Sequence, residues 1–417
     1  MTNFGDWQLQ IYLAGLSGEV PDLPMSFDAL ERSARAAMSE QIWSYVAGGA
    51  GTEHTQRANV AAFERWGLMP RVLRGAADRD LSVELFGYRY ETPLMLSPVG
   101  VIALCDEGLR SDPPRDPPDG RSTAVDAATD DGIAVGPGHG DLVAARASAH
   151  TGVPMVASTL MEDPLEEVAA TLGDTPGWFQ LYPPNDRELC ESFVRRAEAA
   201  GFAALVVTLD TLTLGWRPRD LSIASFPQLK GLCLANYFSD PVFRSRLERP
   251  PEHDVEAATG LWALTFGNPA MTWDDFDWIR SLTDLPLVLK GICSPDDARI
   301  AIDHGVDGLW CSNHGGRQAD GGLPALVCLP DVVEAAGEAP VVFDSGIRSG
   351  SDVIKALALG ATAVGIGRPY AYGMALGGQA GVQHVLQCLL AEADLIMAID
   401  GYGSVAELNP SCLRRLD

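Results

Sequence analysis

The sequence lacks several features that would place it in other classes of protein. Its 417 residues include eight cysteines, yet no two of them have the C-x-x-C spacing of a zinc or disulfide-exchange motif. No uninterrupted apolar run reaches 18 residues, and residues 1–7 show no basic region followed by an apolar one. We therefore expect a cytoplasmic protein with reduced thiols, no metal site, no secretory signal peptide and no membrane span.

Positive charge is also scarce. There are 30 basic and 56 acidic residues, for a formal net charge of −26, and only Lys230, Lys290 and Lys355 are lysines. Nucleic acid and anionic membranes would be repelled at long range, so we expect neither as a partner. Lys290 stands out because it ends the apolar run 286–289, where a merely solvated lysine is not expected.

The sequence is rich in short apolar runs that alternate with amphipathic helical segments, as in a parallel α/β fold. We predict eight strands, at 93–98, 154–158, 178–182, 203–209, 286–290, 307–311, 340–344 and 361–366. Helices are predicted between them, for example 186–200 after Asp186 and 350–359 before Gly360. Eight such units indicate a closed (β/α)8 TIM barrel.

The remaining segments divide the chain. Residues 1–90 are predicted to form an N-terminal cap of helices with a short hairpin, residues 91–400 the barrel, and residues 401–417 a C-terminal tail. Residues 213–285 are too long for an ordinary connection and predict an excursion over the barrel mouth, ending in a helix at 273–282. Residues 106–137 are rich in proline and aspartate and contain no aromatic residue, which is typical of a mobile insertion.

Polar residues follow one predicted strand after another. The run 312–318, Ser-Asn-His-Gly-Gly-Arg-Gln, places His314 and Arg317 directly after a strand, at the end of a barrel where catalytic residues lie. A simple turn with an exposed histidine would have the same local sequence. The other strand-end residues are Ser158, Gln180, Tyr182, Thr208, Asp210, Lys290, Ser312, Asp344 and Arg368. Together they predict a polar pocket.

Glycine and arginine follow the last two strands, in Asp344-Ser345-Gly346-Ile347-Arg348 and in Gly365-Ile366-Gly367-Arg368. Glycines let backbone amides approach a ligand, and arginines supply charge, so this end of the barrel is a candidate phosphate site. No G-x-G-x-x-G follows an early strand, which argues against a dinucleotide.

These motifs resemble those of the FMN-dependent 2-hydroxy acid oxidoreductases, and within that family they are most like the lactate 2-monooxygenase branch. The resemblance runs from about Ile42 to Leu408, apart from 106–137. It rests on Tyr45 to Ala50 with Thr55 and Asn59, Pro98-Val99-Gly100, Gln180-Leu181-Tyr182, Val207 to Thr211, Lys290-Gly291, residues 312–318 and the two glycine-arginine motifs. Residues 215–220 and 367–373 favour the monooxygenase branch, and Ser345 stands where many members have glycine.

The resemblance implies a role for each matched position. His314 would be the base, Asp210 would steady its imidazolium, and Lys290 would stabilise the reduced flavin. Arg217 and Arg317, with Tyr45 and Tyr182, would bind the substrate. The remaining residues would bind FMN: Pro98, Val99, Gly100, Ser158, Gln180, Thr208, Ser312, Asp344, Ser345, Gly346, Arg348, Gly367 and Arg368. A small L-2-hydroxy acid, O2 and a tetrameric or octameric assembly are the implied partners, and His139 is predicted to be a helix-start residue.

Two other functions are compatible with parts of this pattern. An aldolase could use Lys290 as a Schiff base, because a buried lysine can become nucleophilic. A flavin-binding protein without activity could use the 106–137 insertion to close the pocket or to bind a partner. The His314–Arg317 pair and the two anion motifs count against the aldolase, and the complete set of catalytic residue types counts against the inactive protein.

Overall fold

The core of the molecule is a parallel barrel, shown by a computed structural model that describes residues 3–106 and 139–416. Strands β1 (Trp66–Leu68), β2 (Val83–Leu85) and β3 (Tyr88–Tyr90) precede the barrel. The barrel strands are β4 (Leu94–Leu96), β5 (Val156–Ala157), β6 (Trp178–Leu181), β7 (Ala204–Thr208), β8 (Leu287–Lys290), β9 (Gly308–Cys311), β10 (Val341–Phe343) and β11 (Ala363–Ile366). Each lies within one of the eight predicted strands, so the predicted fold is confirmed.

The eight strands form one sheet in the order β4-β11-β10-β9-β8-β7-β6-β5. The Leu96 N–H donates to Pro154 O at 2.9 Å, and a parallel bridge between Leu96 and Met155 joins β4 to the start of β5. The sheet therefore closes on itself, and the carboxyl ends of all eight strands meet at one face.

Successive side chains of a strand point to opposite faces of the sheet, so the strands divide the core into two layers. Side chains that face the barrel axis form a compact cluster that includes Met95, Trp178, Val206, Val288 and Trp310. Their neighbours along the strands, such as Leu96, Phe179 and Leu289, belong to a second cluster under the outer helices. The interior is consequently filled by side chains, and a ligand site must lie above this plug.

Helices surround the barrel. The N-terminal ones are α1 (Trp7–Gly15), α2 (Phe27–Ala37), α3 (Glu40–Ala47) and α4 (His54–Glu64). Those between barrel strands are α5 (Gly140–Thr151), α6 (Leu165–Leu172), α7 (Arg187–Ala199), α8 (Pro218–Ser222), α9 (Ala235–Ser239), α10 (Pro241–Ser245), α11 (Val255–Thr265), α12 (Trp273–Arg280), α13 (Pro295–Asp303), α14 (Ala325–Ala336) and α15 (Gly350–Ala358), and α16 (Arg368–Asp400) follows β11. The predicted helices at 186–200, 273–282 and 350–359 correspond to α7, α12 and α15.

Segments outside the barrel close its amino-terminal end and join the chain termini. The hairpin β2–β3 belongs to the barrel-axis cluster through Leu85 and Tyr90, and the Tyr90 hydroxyl accepts a hydrogen bond from Trp178 Nε1 at 3.1 Å. Strand β12 (Leu413–Arg415) pairs antiparallel with β1. Helix α5 begins after its N-cap residue His139, as predicted. The predicted insertion at 106–137 lies outside the described residues, except for Asp106.

One helix in the described part of the chain, α16, is long and apolar enough to cross a membrane by length and composition. It contains no uninterrupted apolar run of 18 residues. Half of its most apolar window is buried, and its backbone is not helical at Gly377 and Gly378. Packing against the barrel therefore accounts for its composition.

Candidate active site

The loop after β9 holds His314 in an uncommon backbone conformation. His314 has φ 58°, and Gly315 and Gly316 follow with φ 64° and 74°. Ser312 Oγ accepts from the His314 N–H at 3.0 Å, and Ser345 Oγ accepts from the Gly315 N–H at 3.0 Å. Left-handed backbone at a non-glycine residue is costly, and its persistence here marks a site where the position of the side chain matters.

The His314 imidazole pairs with a buried carboxylate from the end of β7. Nδ1 lies 2.8 Å from Asp210 Oδ1, and the Thr211 hydroxyl lies 3.3 Å from the same nitrogen. Burial lowers the pKa of His314, and Lys290 and Arg217 add to this effect against the opposing attraction of Asp210. Burial alone would raise the pKa of Asp210, but His314 and Lys290 outweigh it, so that pKa is lowered. The pair is therefore a neutral imidazole held by an ionised carboxylate.

Two arginines lie beside this pair, and both are close to the same aromatic ring. The guanidinium carbons of Arg317 and Arg217 are 4.8 Å and 5.7 Å from the centre of the Tyr45 ring. Burial and the neighbouring Arg217 lower the pKa of Arg317 to about 10, and Arg317 Nη2 is buried without a hydrogen-bond partner among the described residues. Burial also raises the pKa of the Tyr182 phenol. Two close cations and hydroxyl donors form a site for a carboxylate.

Lys290 lies at the base of the pocket. Its Nζ is 2.9 Å from Ser312 Oγ and 3.1 Å from Asp344 Oδ2, and 5.5 Å from the centre of the Trp310 ring. The side chain is nearly fully buried. Lys290 thus forms an ion pair and a hydrogen bond, so its amine is not unpaired in the pocket.

A second cationic region lies at the ends of β10 and β11. Burial, and repulsion from Arg317, lower the pKa of Arg368 to about 9, although its guanidinium donates to Val46 O, Gly48 O, Gly315 O and Gln56 Oε1. These partners are neutral. Burial also lowers the pKa of Arg348, which donates to the carbonyl of Ile347. Two partly buried guanidinium groups with neutral partners form a site that an anion would stabilise.

These groups share one cleft. The predicted residues that line it are Tyr45, Pro98, Val99, Gly100, Tyr182, Arg217, Lys290, His314, Arg317, Asp344, Ser345, Gly346, Arg348, Gly367 and Arg368. The other predicted residues stand behind this lining. Asp210 contacts His314, Ser312 contacts Lys290, and Ser158 Oγ donates to Gln180 Oε1 at 3.2 Å, while Thr208 ends β7.

The structure adds residues that sequence reasoning missed. Leu214, Phe226 and Phe266, from the segment after β7, line the cleft together with Leu160. Phe266 packs edge-on against Tyr182 with ring centres 5.3 Å apart, and Phe226 lies 6.0 Å from Tyr45. The aromatic residues of 213–285 were the available signal, but their spacing alone does not show which of them face the cleft.

Comparison with known proteins assigns the family. The family model of FMN-dependent dehydrogenases matches residues 34–111 and 133–415. The chain is 41% identical over 419 residues to the FMN-dependent alpha-hydroxy acid dehydrogenase qulF of Penicillium citrinum, covering 99% of this chain and 96% of the relative. It is 36% identical to an L-lactate oxidase of Lysinibacillus sphaericus over 100% of this chain and 99% of that one.

A solved structure of mandelate oxidase matches the fold with a TM-score of 0.75 and 35% identity, over 94% of this chain and 98% of that one. The chain therefore belongs to the FMN-dependent 2-hydroxy acid dehydrogenase family, and it is an FMN-dependent oxidoreductase of 2-hydroxy acids.

The residues present fit FMN. Gln180 Nε2 and Thr208 Oγ1 are buried with no hydrogen-bond partner among the described residues. Buried polar groups are normally paired, so these two groups fit hydrogen bonds to a polar flavin ring. Gly365 lines the cleft, and a Cβ there would lie 2.3 Å from Ser97 Oγ and 2.6 Å from the Trp310 ring. Residue 365 therefore has no room for a side chain. Arg348 and Arg368 supply charge suited to one terminal phosphate.

Proposed function

We propose that the protein oxidises a small L-2-hydroxy acid, with L-lactate as the first candidate, and uses O2 as the electron acceptor. The proposed net reaction is lactate + O2 → acetate + CO2 + H2O. The observation that carries the proposal is the neutral His314, paired with Asp210, beside the Arg217–Arg317 cation pair in one cleft. FMN bound in this cleft would accept two electrons from the substrate and pass them to O2.

Each of these residues has a separate task in the proposal. Arg217 and Arg317 bind the substrate carboxylate, and Tyr45 and Tyr182 donate hydrogen bonds to the carboxylate and the hydroxyl. His314 then takes a proton from the substrate through Nε2, because Nδ1 is held by Asp210. Asp210 stabilises the imidazolium that results. Lys290 places positive charge where the electron pair arrives.

The proposed binding of FMN divides the remaining residues into two groups. Ser158, Gln180, Thr208 and the 98–100 turn would contact the flavin ring. Ser345, Gly346, Arg348, Gly367 and Arg368 would bind the phosphate of the ribityl phosphate arm, and Asp344 would accept from the hydroxyls of that arm. Ser312 connects Lys290 to Asp344.

The carboxylate clamp also bears on the products. Substrate and 2-oxo acid carry the same carboxylate, so two arginines that bind the substrate also slow the release of its oxidised form. Leu214, Phe226 and Phe266 cover the same cleft. A retained 2-oxo acid is decarboxylated when peroxide forms beside it, whereas an acid that leaves first gives pyruvate and hydrogen peroxide. The alternative is thus an oxidase or dehydrogenase that releases the 2-oxo acid.

Product analysis separates these outcomes. Purified protein is supplied with ¹³C-labelled L-lactate in air, in the presence of catalase so that free peroxide cannot decarboxylate pyruvate in solution. Acetate and CO2 formed in equal amounts, without pyruvate, would support the monooxygenase. Pyruvate as the main product would show release of the 2-oxo acid. FMN-loaded protein whose flavin no L-2-hydroxy acid reduces would indicate the inactive flavin-binding protein.

We also propose an assembly and a location for the protein. Helix α1 buries none of its residues, and Leu9, Leu13 and Leu16 are 60%, 56% and 84% exposed. An apolar face of this kind is typical of a contact between subunits, and it supports a homo-oligomer. The family resemblance implies a tetramer or octamer. The strong negative charge counts against nucleic acid and anionic membranes as partners, and we propose a cytoplasmic location. Light scattering after size-exclusion chromatography would measure the subunit number.

A further inference from the structure

The Gln318 side chain connects two parts of the candidate site. Its Oε1 accepts from Arg217 Nη2 at 2.6 Å, and its Nε2 donates to the backbone carbonyl of Asp210 at 2.9 Å. Asp210 in turn holds His314 Nδ1 through its carboxylate at 2.8 Å. One amide therefore spans the distance between a carboxylate-binding arginine and the residue that orients the base.

The rest of the contacts leave Arg217 dependent on this bond. Its Nε donates to the backbone carbonyl of Arg317 at 3.2 Å, and among the described residues it forms no ion pair. Gly215, two residues earlier, lies directly on the 317–318 backbone, where a Cβ would be 2.4 Å from Gln318 O. The segment that carries Arg217 is thus seated on Arg317 and Gln318.

The Gln318 amide satisfies both partners, one with each of its two polar atoms. Arg217 has donors alone, and the Asp210 carbonyl accepts only, so the bridging group must accept at one end and donate at the other. A carboxylate would lose the donor and compete with the substrate for Arg217. Methionine has nearly the same length but neither function.

We propose that Gln318 is a positioning residue that fixes the position of Arg217 relative to the Asp210–His314 pair. The substrate carboxylate is thereby held at a fixed distance from the base. The inference rests on the proposed function for the roles of Arg217 and His314. It assigns Gln318 no contact with the substrate.

Two substitutions test it by opposite changes. Gln318→Met keeps the length and removes the amide, whereas Gln318→Asn keeps the amide and shortens its reach. Oxalate, a dicarboxylate that has no hydrogen to lose, probes the clamp without turnover. In FMN-loaded protein, calorimetry should show oxalate binding weakened roughly 10- to 100-fold in both variants, the scale of a hydrogen bond to a charged group. Flavin reduction at saturating L-lactate should slow as well, by about 10-fold, since misplaced reacting groups slow chemistry.

Asn185→Leu is the matched control. The Asn185 amide also donates to two carbonyls of the segment after β7, those of Leu264 and Gly267, but it contacts neither arginine. This variant should bind oxalate as the wild type does. FMN content and the thermal unfolding midpoint are measured for every variant, because a merely structural role would lower the loaded fraction and leave the affinity of loaded protein unchanged.

The outcomes separate the two proposals. Unchanged oxalate affinity and reduction rate in loaded Gln318→Met would overturn the inference, as would a wild type that binds no oxalate. Should Gln318→Met fail to fold, Gln318→Asn decides by the same readouts. Oxalate binding that depends on Gln318 in a protein whose flavin no L-2-hydroxy acid reduces would support the inference and overturn the proposed function.

Discussion

The imidazole of His314 is held neutral in a site crowded with cations. Lys290, Arg217 and Arg317 all lie in the same cleft, and Asp210 is the carboxylate in contact with the ring. Burial is the largest cause of the lowered pKa of His314, and Lys290 and Arg217 add to it. In the proposed function, the negative charge of a bound substrate carboxylate would offset part of this repulsion and favour proton transfer to the ring.

We expect His314→Gln to retain FMN and to lose flavin reduction by L-lactate by roughly 10²- to 10⁴-fold, the scale of general-base catalysis. Anaerobic stopped-flow absorbance measures this rate directly. Thr211→Val is a useful comparison, because it removes the weaker contact to Nδ1 at 3.3 Å and leaves Asp210 in place. An undiminished rate in His314→Gln would assign the base elsewhere.

The pH dependence of reduction follows from the same residue. Burial lowers the pKa of His314 below its ordinary value of 6.5. Only the neutral ring accepts a proton, so the rate should be constant near neutrality and fall as pH drops through this lowered pKa. The unfolded chain binds a proton on this histidine at a higher pH than the folded one, so its contribution to stability also falls with pH from about 6.5. The measurement is anaerobic reduction at L-lactate concentrations well below saturation, where the rate reports the pKa of the free protein, and an acidic limb above pH 6.5 would contradict the assignment.

Arg368→Ala should weaken FMN retention by about 10- to 100-fold, because it removes a charge-assisted bond to phosphate. Arg368→Lys keeps the charge but not the planar fork, and we expect an intermediate loss. Fluorescence of FMN released on dilution gives the dissociation constant. Equal FMN affinity in all three proteins would show that the phosphate does not bind at the end of β11.

At the scale of elements, the ends of β7 and β9 are joined by the segment that carries Arg217. A Cβ on Gly215 would lie 2.4 Å from Gln318 O and 2.8 Å from Arg317 O, and these backbone atoms cannot move aside as a flexible side chain could. Arg217 can reach the cleft only because residue 215 has no side chain.

Gly215→Ala should therefore displace Arg217 and reduce kcat/KM for L-lactate by roughly 10- to 100-fold, the effect of a misplacement of about 1 Å. FMN content should not change. Gly260→Ala is the matched control, since a Cβ there meets nothing within 4 Å and α11 is a helix in the same long segment. Steady-state kinetics of both variants decide the matter; equal loss in both would point to general destabilisation.

At the scale of the whole molecule, a buried ion pair joins the chain termini. Arg79 Nη2 and Nε lie 2.6 Å and 2.9 Å from the carboxylate of Asp394 in α16, which also accepts from the Gly5 N–H at 2.7 Å. The Asp394 side chain is fully buried and that of Arg79 is 8% exposed. This contact holds the N-terminal segment against α16, and neither Arg79 nor Asp394 lines the cleft.

Asp394→Ala would leave Arg79 buried without its partner. We expect a loss of about 3–5 kcal/mol in the free energy of unfolding, measured by denaturant titration of the FMN-loaded protein. Glu91→Ala breaks the exposed Arg89–Glu91 pair and should cost under about 1 kcal/mol. Similar losses in the two variants would show that the buried pair contributes no more to the free energy of unfolding than the exposed pair.

The sequence by itself determined the barrel and most of the residues around its mouth. Runs such as 203–207 and 286–289 are apolar throughout, because strands of a barrel are buried on both faces, and a polar residue follows each, Thr208 and Lys290. These are local patterns, so they can be read without knowing which strands are neighbours. The motif 312–318 likewise predicted the loop that holds His314.

Only the tertiary structure decided which of these residues meet and what covers them. Residues far apart in the chain meet in the contacts of Tyr45 with Arg217 and Arg317, in the cover formed by Phe226 and Phe266, and in the bridge from Gln318 to Asp210. Such contacts depend on how the segment after β7 and the N-terminal helices fold back over the barrel. No periodicity within a single element encodes that return, since it is fixed by the fit of one surface against another.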